Sequence, residues 1–400
     1  MRRTVARMAL GAVALGTAPV GAQTVRAASE TALPPVERAF PEAFSQLGFG
    51  QLRELPDGRV IVADLRDRSL QLVSFDRESA TPLAGTGRGP REYLLPQRLY
   101  AIAGDSTLLF DGSNQRYLLL APSGEAVNSF RPEISPQGSL PGGMSFYGAA
   151  RGTDAQGRLY VEGQPEVVEE RDRVTASTAP ILRVDRANGR VDTMGTVRVV
   201  PTVMSSSGGQ RSITVGGGNP LTPRDEWAVF PDGRIAIVRH DSYHVEFIDA
   251  DGSRRQAAPL PFVRERLSAA DRQAEEARRR RMQANLIRTP VELPNGAVVQ
   301  PSSPTTLRPL QNWPEYRPPF RAGYASVVAR MNGELWILRV EPGRSGPPQG
   351  ALYDVVDAAG RRVRQVRLGA GETLVGFGRR AIYTATADED GLLTLARRTN

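Results

Sequence analysis

Residues 56–75, PDGRVIVADLRDRSLQLVSF, pass through a turn, an apolar run, a second turn and an alternating apolar run. This unit returns along the chain. Its first turn recurs as Gly104-Asp105, Ala155-Gln156-Gly157, Pro231-Asp232-Gly233, Asn332-Gly333 and, in weaker form, Gly378-Arg379-Arg380. A short apolar run accompanies each turn: RVIVAD, STLLFD, RLYVEG, RIAIVR, ELWILR and AIYTAT. These runs barely alternate, as expected of a strand covered on both faces. Second runs follow, from SLQLVSFD to LLTLARRT. Most close on Asp- or Gly-rich turns that supply positive φ and local hydrogen bonds.

Successive first turns are spaced by 47, 52, 76, 100 and 46 residues. The short spacings are the length of one four-stranded propeller blade. A β-meander of that size, repeated, buries its faces by closing radially. The expectation is an all-β fold, a six-bladed β-propeller over residues 48–400, with an insertion at 262–319 between blades four and five. The last unit runs out of chain before a fourth strand. Residues 33–47, LPPVERAFPEAFSQL, have no other assignment. They are expected to supply that outer strand and remove an open sheet edge.

The start of the chain reads differently. Three arginines precede the small-residue apolar stretch MALGAVALGTAPVGA, which ends at Ala22. That is a signal peptide over residues 1–22, too short to span a bilayer. The expected location is periplasmic or extracellular, for a monomer that does not span the membrane, with residues 23–47 as an N-terminal segment. Cysteine is absent, which removes disulfides, thiol nucleophiles and thiolate metal sites. The formal net charge of +8 invites a nucleic-acid reading. However, all 51 basic residues are arginine, and they are scattered apart from Arg278–Arg281. A nucleic-acid binder needs a basic patch with interleaved aromatics, so no nucleic-acid partner is expected.

Certain motifs carry a family resemblance. Val62-Ala63-Asp64, Arg68, Leu70, Leu72 and Phe75-Asp76 resemble an NHL repeat, and Phe110 to Arg116 looks like a second copy. Gly85 to Tyr93, with Pro96, resembles the glycine-rich connection between blades in the same family. The resemblance is to secreted bacterial six-bladed propellers of the NHL-like, TolB-like type. It implies a fold and a ligand-facing surface, and no single activity.

Residues 262–288 predict one helix over about 268–286. Ser268 and Asp271 form a capping-box-like start, acids lie early and arginines late. Its apolar positions, Leu267, Ala270, Ala274, Ala277, Met282 and Leu286, predict packing along one narrow stripe. The proline-rich stretch 289–319 reads as an irregular connector. Residues 203–220 read as a Gly/Ser-rich loop without the lysine of a phosphate-binding loop.

Catalytic chemistry finds little support. The two histidines, His240 and His244, stand four apart, but on a strand–turn–strand pattern rather than a helix. Alternation with Tyr243, Val245 and Phe247 predicts that His244 faces outward. No G-x-S-x-G elbow precedes a helix. Catalytic residues and a metal site are therefore not assigned. Counting six residues on from each first turn reaches Asp64, Asp111, Gly163, Arg239, Arg339 and Ala385. Equivalent positions in a propeller gather at one mouth. There, Asp64, Asp111, Arg239 and Arg339, with the neighbouring His240, would face a polar ligand, since arginine forks suit carboxylate or phosphate. The expected function is a ligand- or protein-binding scaffold, for a small polar ligand or an envelope protein, without a cofactor. The alternative is a metal-dependent, lactonase-like hydrolase holding calcium through Asp64, Asp111, Glu162 and Asn114.

Overall fold

The computed structural model describes residues 29–131, 149–163, 165, 169–170, 173–174, 177–199, 201–205, 211–215, 219–284, 291–292, 298–299, 309–343 and 349–399. Residues 1–22, read above as a signal peptide, lie outside them. Six antiparallel meanders follow one another. Blade one is Leu52–Glu54, Val60–Asp64, Ser69–Ser74 and Ser79–Pro82. Blades two and three start at Pro96–Ala101 and Gly152–Thr153, blades four and five at Glu226–Val229 and Val327–Ala329, and blade six at Glu372–Phe377.

The unbroken apolar runs are explained by two-sided burial. All five residues of Val60–Asp64 are buried. Val60 and Val62 pack towards blade six, with Tyr383 and Ala385. Ile61 and Ala63 point the other way, to Leu109 and Leu118 of blade two. In blade four, Ile235 and Ile237 meet Tyr160 and Ile181 of blade three, while Ala236 and Val238 meet Leu335 and Ile337 of blade five. Two further clusters join blade two to three and blade five to six. Apolar cores thus seal all six junctions and close the ring. The first turns bring each chain back sharply. Gly58 and Gly233 sit there at φ of 83° and 86°, the left-handed region that glycine enters without strain.

His244 departs from the expectation. It is only 6% exposed, with Nδ1 2.8 Å from Ser242 Oγ. Alternation turns a residue to water only when one sheet face is wet, and blade four is covered on both.

The ring closes through the N-terminal segment. Arg38–Phe44 pairs antiparallel with Leu393–Thr399, from Arg38 opposite Arg397 to Phe44 opposite Leu393. It is the outer strand of blade six. The chain also makes a contact that the sequence did not suggest. Glu30–Ala32 lies parallel to Arg362–Arg367, the outer strand of blade five. Arg367 fastens it, 2.6 Å from Glu30 and 2.8 Å from Glu341. One segment therefore straps two neighbouring blades.

The helix spans Ala269–Ala284, between the fourth and fifth blades in sequence. Its start is capped reciprocally: the Asp271 amide donates to Ser268 Oγ at 3.1 Å, and the Ser268 amide donates to Asp271 Oδ2 at 2.7 Å. It does not dock along the expected apolar stripe. Leu267 is buried with Leu221 and Val340, but Ala270 is exposed and Ala274 and Ala277 are half-buried. Met282 and Leu286 lie outside the described side chains. The buried helical positions are instead Asp271 and Glu275. Asp271 accepts from Arg317 at 3.1 Å and the Gly343 amide at 2.6 Å, and Glu275 from Arg278 and Arg321, each at 2.7 Å. With so little apolar surface available, charge-assisted hydrogen bonds hold the helix down.

That attachment should respond to acid. Burial works to raise both carboxyls. The Gly343 and Ser268 amides with Arg317 outweigh it for Asp271, as Arg278 and Arg321 do for Glu275, so both stand below their ordinary values. A carboxyl lowered in the folded state stabilises fully above its unfolded pKa of about 4 and loses that contribution as pH falls through the folded value. Hydrogen exchange, corrected for intrinsic rates, should therefore accelerate in the helix between about pH 4 and 2 while the blade strands stay protected. Unchanged helix protection across that window would show that something other than these carboxylates holds it.

Short two-stranded ladders also lie outside the blades. Pro201–Ser205 pairs with Arg211–Val215, within the stretch expected to be a loop, and Val291–Glu292 pairs with Val298–Val299 in the proline-rich connector. Among the described residues, no helix is long and apolar enough to cross a membrane.

Candidate functional site

The innermost strands of the six blades enclose an axial cavity of about 460 Å³. Every blade contributes to it, including Leu52 and Arg53, Leu99 to Asp105, Arg151 to Asp154, Trp227 to Val229, Val327 to Ala329, and Gly376 and Phe377. The walls are mostly apolar because each inner strand carries aliphatic and aromatic residues for its blade junctions. Polar groups enter at few points, as in small-molecule sites generally.

The charged groups divide into paired and unpaired ones. Arg151 contacts Glu226 and lies 3.8 Å from Glu162. Arg224 binds the same two carboxylates, at 3.2 and 3.1 Å, and Trp227 Nε1 donates to Glu162 at 3.1 Å. Burial opposes the Arg151 charge, but Glu226 and Glu162 more than offset it and raise its pKa. Asp154 is held by Arg158 at 2.6 Å, and Asp105 by Arg379 at 3.2 Å. These groups neutralise one another.

Three groups differ. The Arg98 guanidinium carbon sits 2.8 Å from the ring centroid of Tyr324, and its only hydrogen-bond partner among the described residues is Tyr100. Arg53 makes no side-chain hydrogen bond with a described residue and its Nε is buried without a partner, while Asp105 and Glu54 work against the lowering of its pKa by burial. Tyr324, 36% exposed, stands at the cavity with a hydroxyl that accepts or donates no hydrogen bond among the described residues. As a phenol it keeps its proton at neutral pH and has one to donate.

The five residues singled out from the repeat lie elsewhere. None of them lines this cavity. Asp64 is buried and accepts from the Ser45 amide at 2.6 Å and the Gln46 amide at 3.2 Å. Asp111 accepts likewise from the Leu94 and Leu95 amides, at 3.1 and 3.0 Å. Both carboxylates tie the connector arriving from the preceding blade to their own strand end. Blade four inverts the charge: Arg239 donates to connector residue Asp225 at 2.7 Å, and to Glu246 at 2.5 Å. The His240 amide donates to Asp225 at 3.0 Å while its ring packs edge-on against Phe320. Arg339 is 3.1 Å from Asp354, within its own blade.

The carboxylates considered for calcium are engaged in the same way. Asp64 and Asp111 are taken by amides, Asn114 Nδ2 donates to Asp111 at 2.6 Å and to Gly87 O at 3.1 Å, and Glu162 is bound by two arginines. This donor set does not fit a cation. Among the described residues, no group of three or more His, Cys, Asp or Glu side chains is placed to hold a metal ion.

Sequence reasoning missed Arg98, Arg53 and Tyr324 because it counted forward from each turn. Counting seven back gives Gln51, Arg98, Ala150, Glu226, Ser326 and Glu372, which flags Arg98 and its inner-strand counterpart Glu226. Tyr324 precedes its strand and carries no periodic signal.

No protein-family model matches the sequence, and no curated protein matches it. Solved structures resemble it in shape. A DUF4221 family member from Bacteroides vulgatus superposes with a TM-score of 0.43 at 8% identity, over 93% of this chain and 98% of that one. A gluconolactonase from Xanthomonas campestris gives 0.41 at 10% identity, over 94% and 99%. A calcium-binding protein, regucalcin, from Agrobacterium tumefaciens gives 0.34 at 11% identity, over 92% and 97%.

Proposed function

We propose that this chain is an exported binding propeller that takes a small molecule in its axial cavity. The observation that carries the reading is the cavity itself: about 460 Å³, walled by the inner strands of every blade and served by a few convergent polar groups. Export rests on the arginine-led apolar segment ending at Ala22.

The test is a thermal-shift screen of the protein against sugars, organic acids, peptides and metal ions, run beside an Ala329→Trp variant. Ala329 lines the cavity beside the blade four–five core, and a tryptophan there would take up part of its space. Ligand that binds only the folded state raises the melting midpoint, by about 2.7 kcal/mol of stabilisation at a hundredfold excess over Kd. At least one class should stabilise the parent protein and fail to stabilise a folded Ala329→Trp variant. A flat response to every class would remove the cavity reading and favour a protein partner on the outer surface.

A further inference from the structure

The rim, the wall and the far end of the cavity limit what it can hold. First turns of blades two to six give it an exposed rim, with Gly104, Ala155, Pro231, Met331 and Arg379. Met331 is 59% exposed, an adaptable thioether at the mouth. Phe49 and Phe377, both half-buried, line the wall edge-on to each other at a centroid distance of 6.0 Å. Tyr324 comes before the inner strand Val327–Ala329 and Met331 after it, so the tyrosine marks the end away from the rim. Its surroundings hold it there: the Gly323 amide donates to Glu226 Oε1 at 2.7 Å, and Arg98 lies over the ring. Gly50, also a lining residue, leaves room beside the hydroxyl, since a Cβ there would stand 3.3 Å from Tyr324 Oη.

Charge around this space is already compensated. Of the charged lining residues, Arg151 pairs with Glu226, Asp154 with Arg158 at 2.6 Å, and Arg379 with Asp105 at 3.2 Å. Arg53 feels the opposite charges of Asp105 and Glu54. A charged ligand taken out of water here would need a counter-charge of its own. What the cavity does offer is a neutral donor, the Tyr324 hydroxyl, which has no partner among the described residues. We infer that the ligand of this cavity is an uncharged, mainly apolar molecule bearing an acceptor oxygen, of which aryl ketones are the simplest representatives, with that oxygen accepting from the Tyr324 hydroxyl. The inference rests on the cavity being the binding site. Covering the half-buried rings and Met331 supplies the drive, and the single hydrogen bond sets the orientation.

Aryl ketones therefore join the sugars, organic acids, peptides and metal ions as a class to be tested. The probe is 6-propionyl-2-dimethylaminonaphthalene, a fluorescent ketone whose emission moves to the blue away from water. Beside it, 6-dimethylamino-2-naphthoate exchanges the ketone for a carboxylate, and 6-propyl-2-dimethylaminonaphthalene removes the oxygen. Each is titrated into the parent protein, Tyr324→Phe and Ala329→Trp, with circular dichroism confirming that each variant is folded. The ketone is expected to bind with blue-shifted emission, at least about tenfold more tightly than the carboxylate. Tyr324→Phe should weaken the ketone by about three- to tenfold and leave the propyl compound within about twofold. Ala329→Trp should weaken both, and rising salt should leave the ketone unaffected. Carboxylate binding as tight as that of the ketone, and weakened by Ala329→Trp, would overturn the uncharged class and leave the cavity as a binding site. Ketone binding that Tyr324→Phe does not alter would overturn the role of that hydroxyl. Binding indifferent to Ala329→Trp, or no binding by any probe at its solubility limit, would overturn both the ligand class and the cavity reading.

Discussion

Phe40→Ala is expected to destabilise the whole ring by about 3–5 kcal/mol, the cost of removing a fully buried aromatic ring. Phe40 is 1% exposed and packs with Phe44, Phe75 and Tyr383, edge-on to Phe75 at a centroid distance of 5.9 Å. It lies on the strand that completes blade six, in the core shared with blade one. The loss should therefore appear as an earlier, still cooperative melt and not as local fraying. Val36→Ala is the control. Val36 is 45% exposed, just ahead of that strand, and should cost no more than about 0.5 kcal/mol. Urea unfolding of the two variants decides the matter: similar midpoints would mean that the N-terminal strand is an ornament and the ring is closed by other contacts.

The second large effect is at Asp354, which is fully buried in blade five. Its carboxylate accepts from the Tyr243 hydroxyl, from Arg339 at 3.1 Å and from Gln365 at 2.8 Å, with Arg362 3.5 Å away. Asp354→Ala leaves two buried arginines and a phenol without their acceptor. Removing one partner of a buried pair costs about 3–5 kcal/mol, mostly from the charge left behind. Replacing both partners is a different experiment. Asp354→Leu with Arg339→Met should recover a large part of that loss, and the coupling should show in a double-mutant cycle. Additive losses in denaturant unfolding would mean that the two residues do not act as a pair.

Much of the ring could be read before any coordinates. Val60–Asp64 and its five counterparts declared themselves because a strand covered on both faces needs apolar side chains pointing both ways. The closing strand followed from an arithmetic remainder: a last unit one strand short, and a leading segment with Phe40 and Phe44 but no unit of its own. Glu30–Ala32 escaped because an exposed three-residue edge strand held by backbone and by Arg367 leaves no apolar trace. The helix was legible in its cap and length, but not in its docking. Periodicity reports apolar faces, and this helix docks through Asp271 and Glu275. The site was the least legible part. Asp64 and Asp111 sit at conspicuous repeat positions, yet their carboxylates fasten connectors. Arg53, which lines the cavity, is a single letter on a short inner strand and carries no periodic signal.

Arg38 and Arg397 stand opposite each other in blade six, so a strand made early in synthesis must wait for one made far later. Until Leu393–Thr399 has been made, Phe40 and Phe44 have no sheet to join, and the nascent polypeptide carries two uncovered rings. Closing the ring is then a long-range loop closure that waits for Leu393–Thr399. A polypeptide halted ahead of Leu393 would leave Phe40 and Phe44 uncovered, an apolar mark that the closed ring hides.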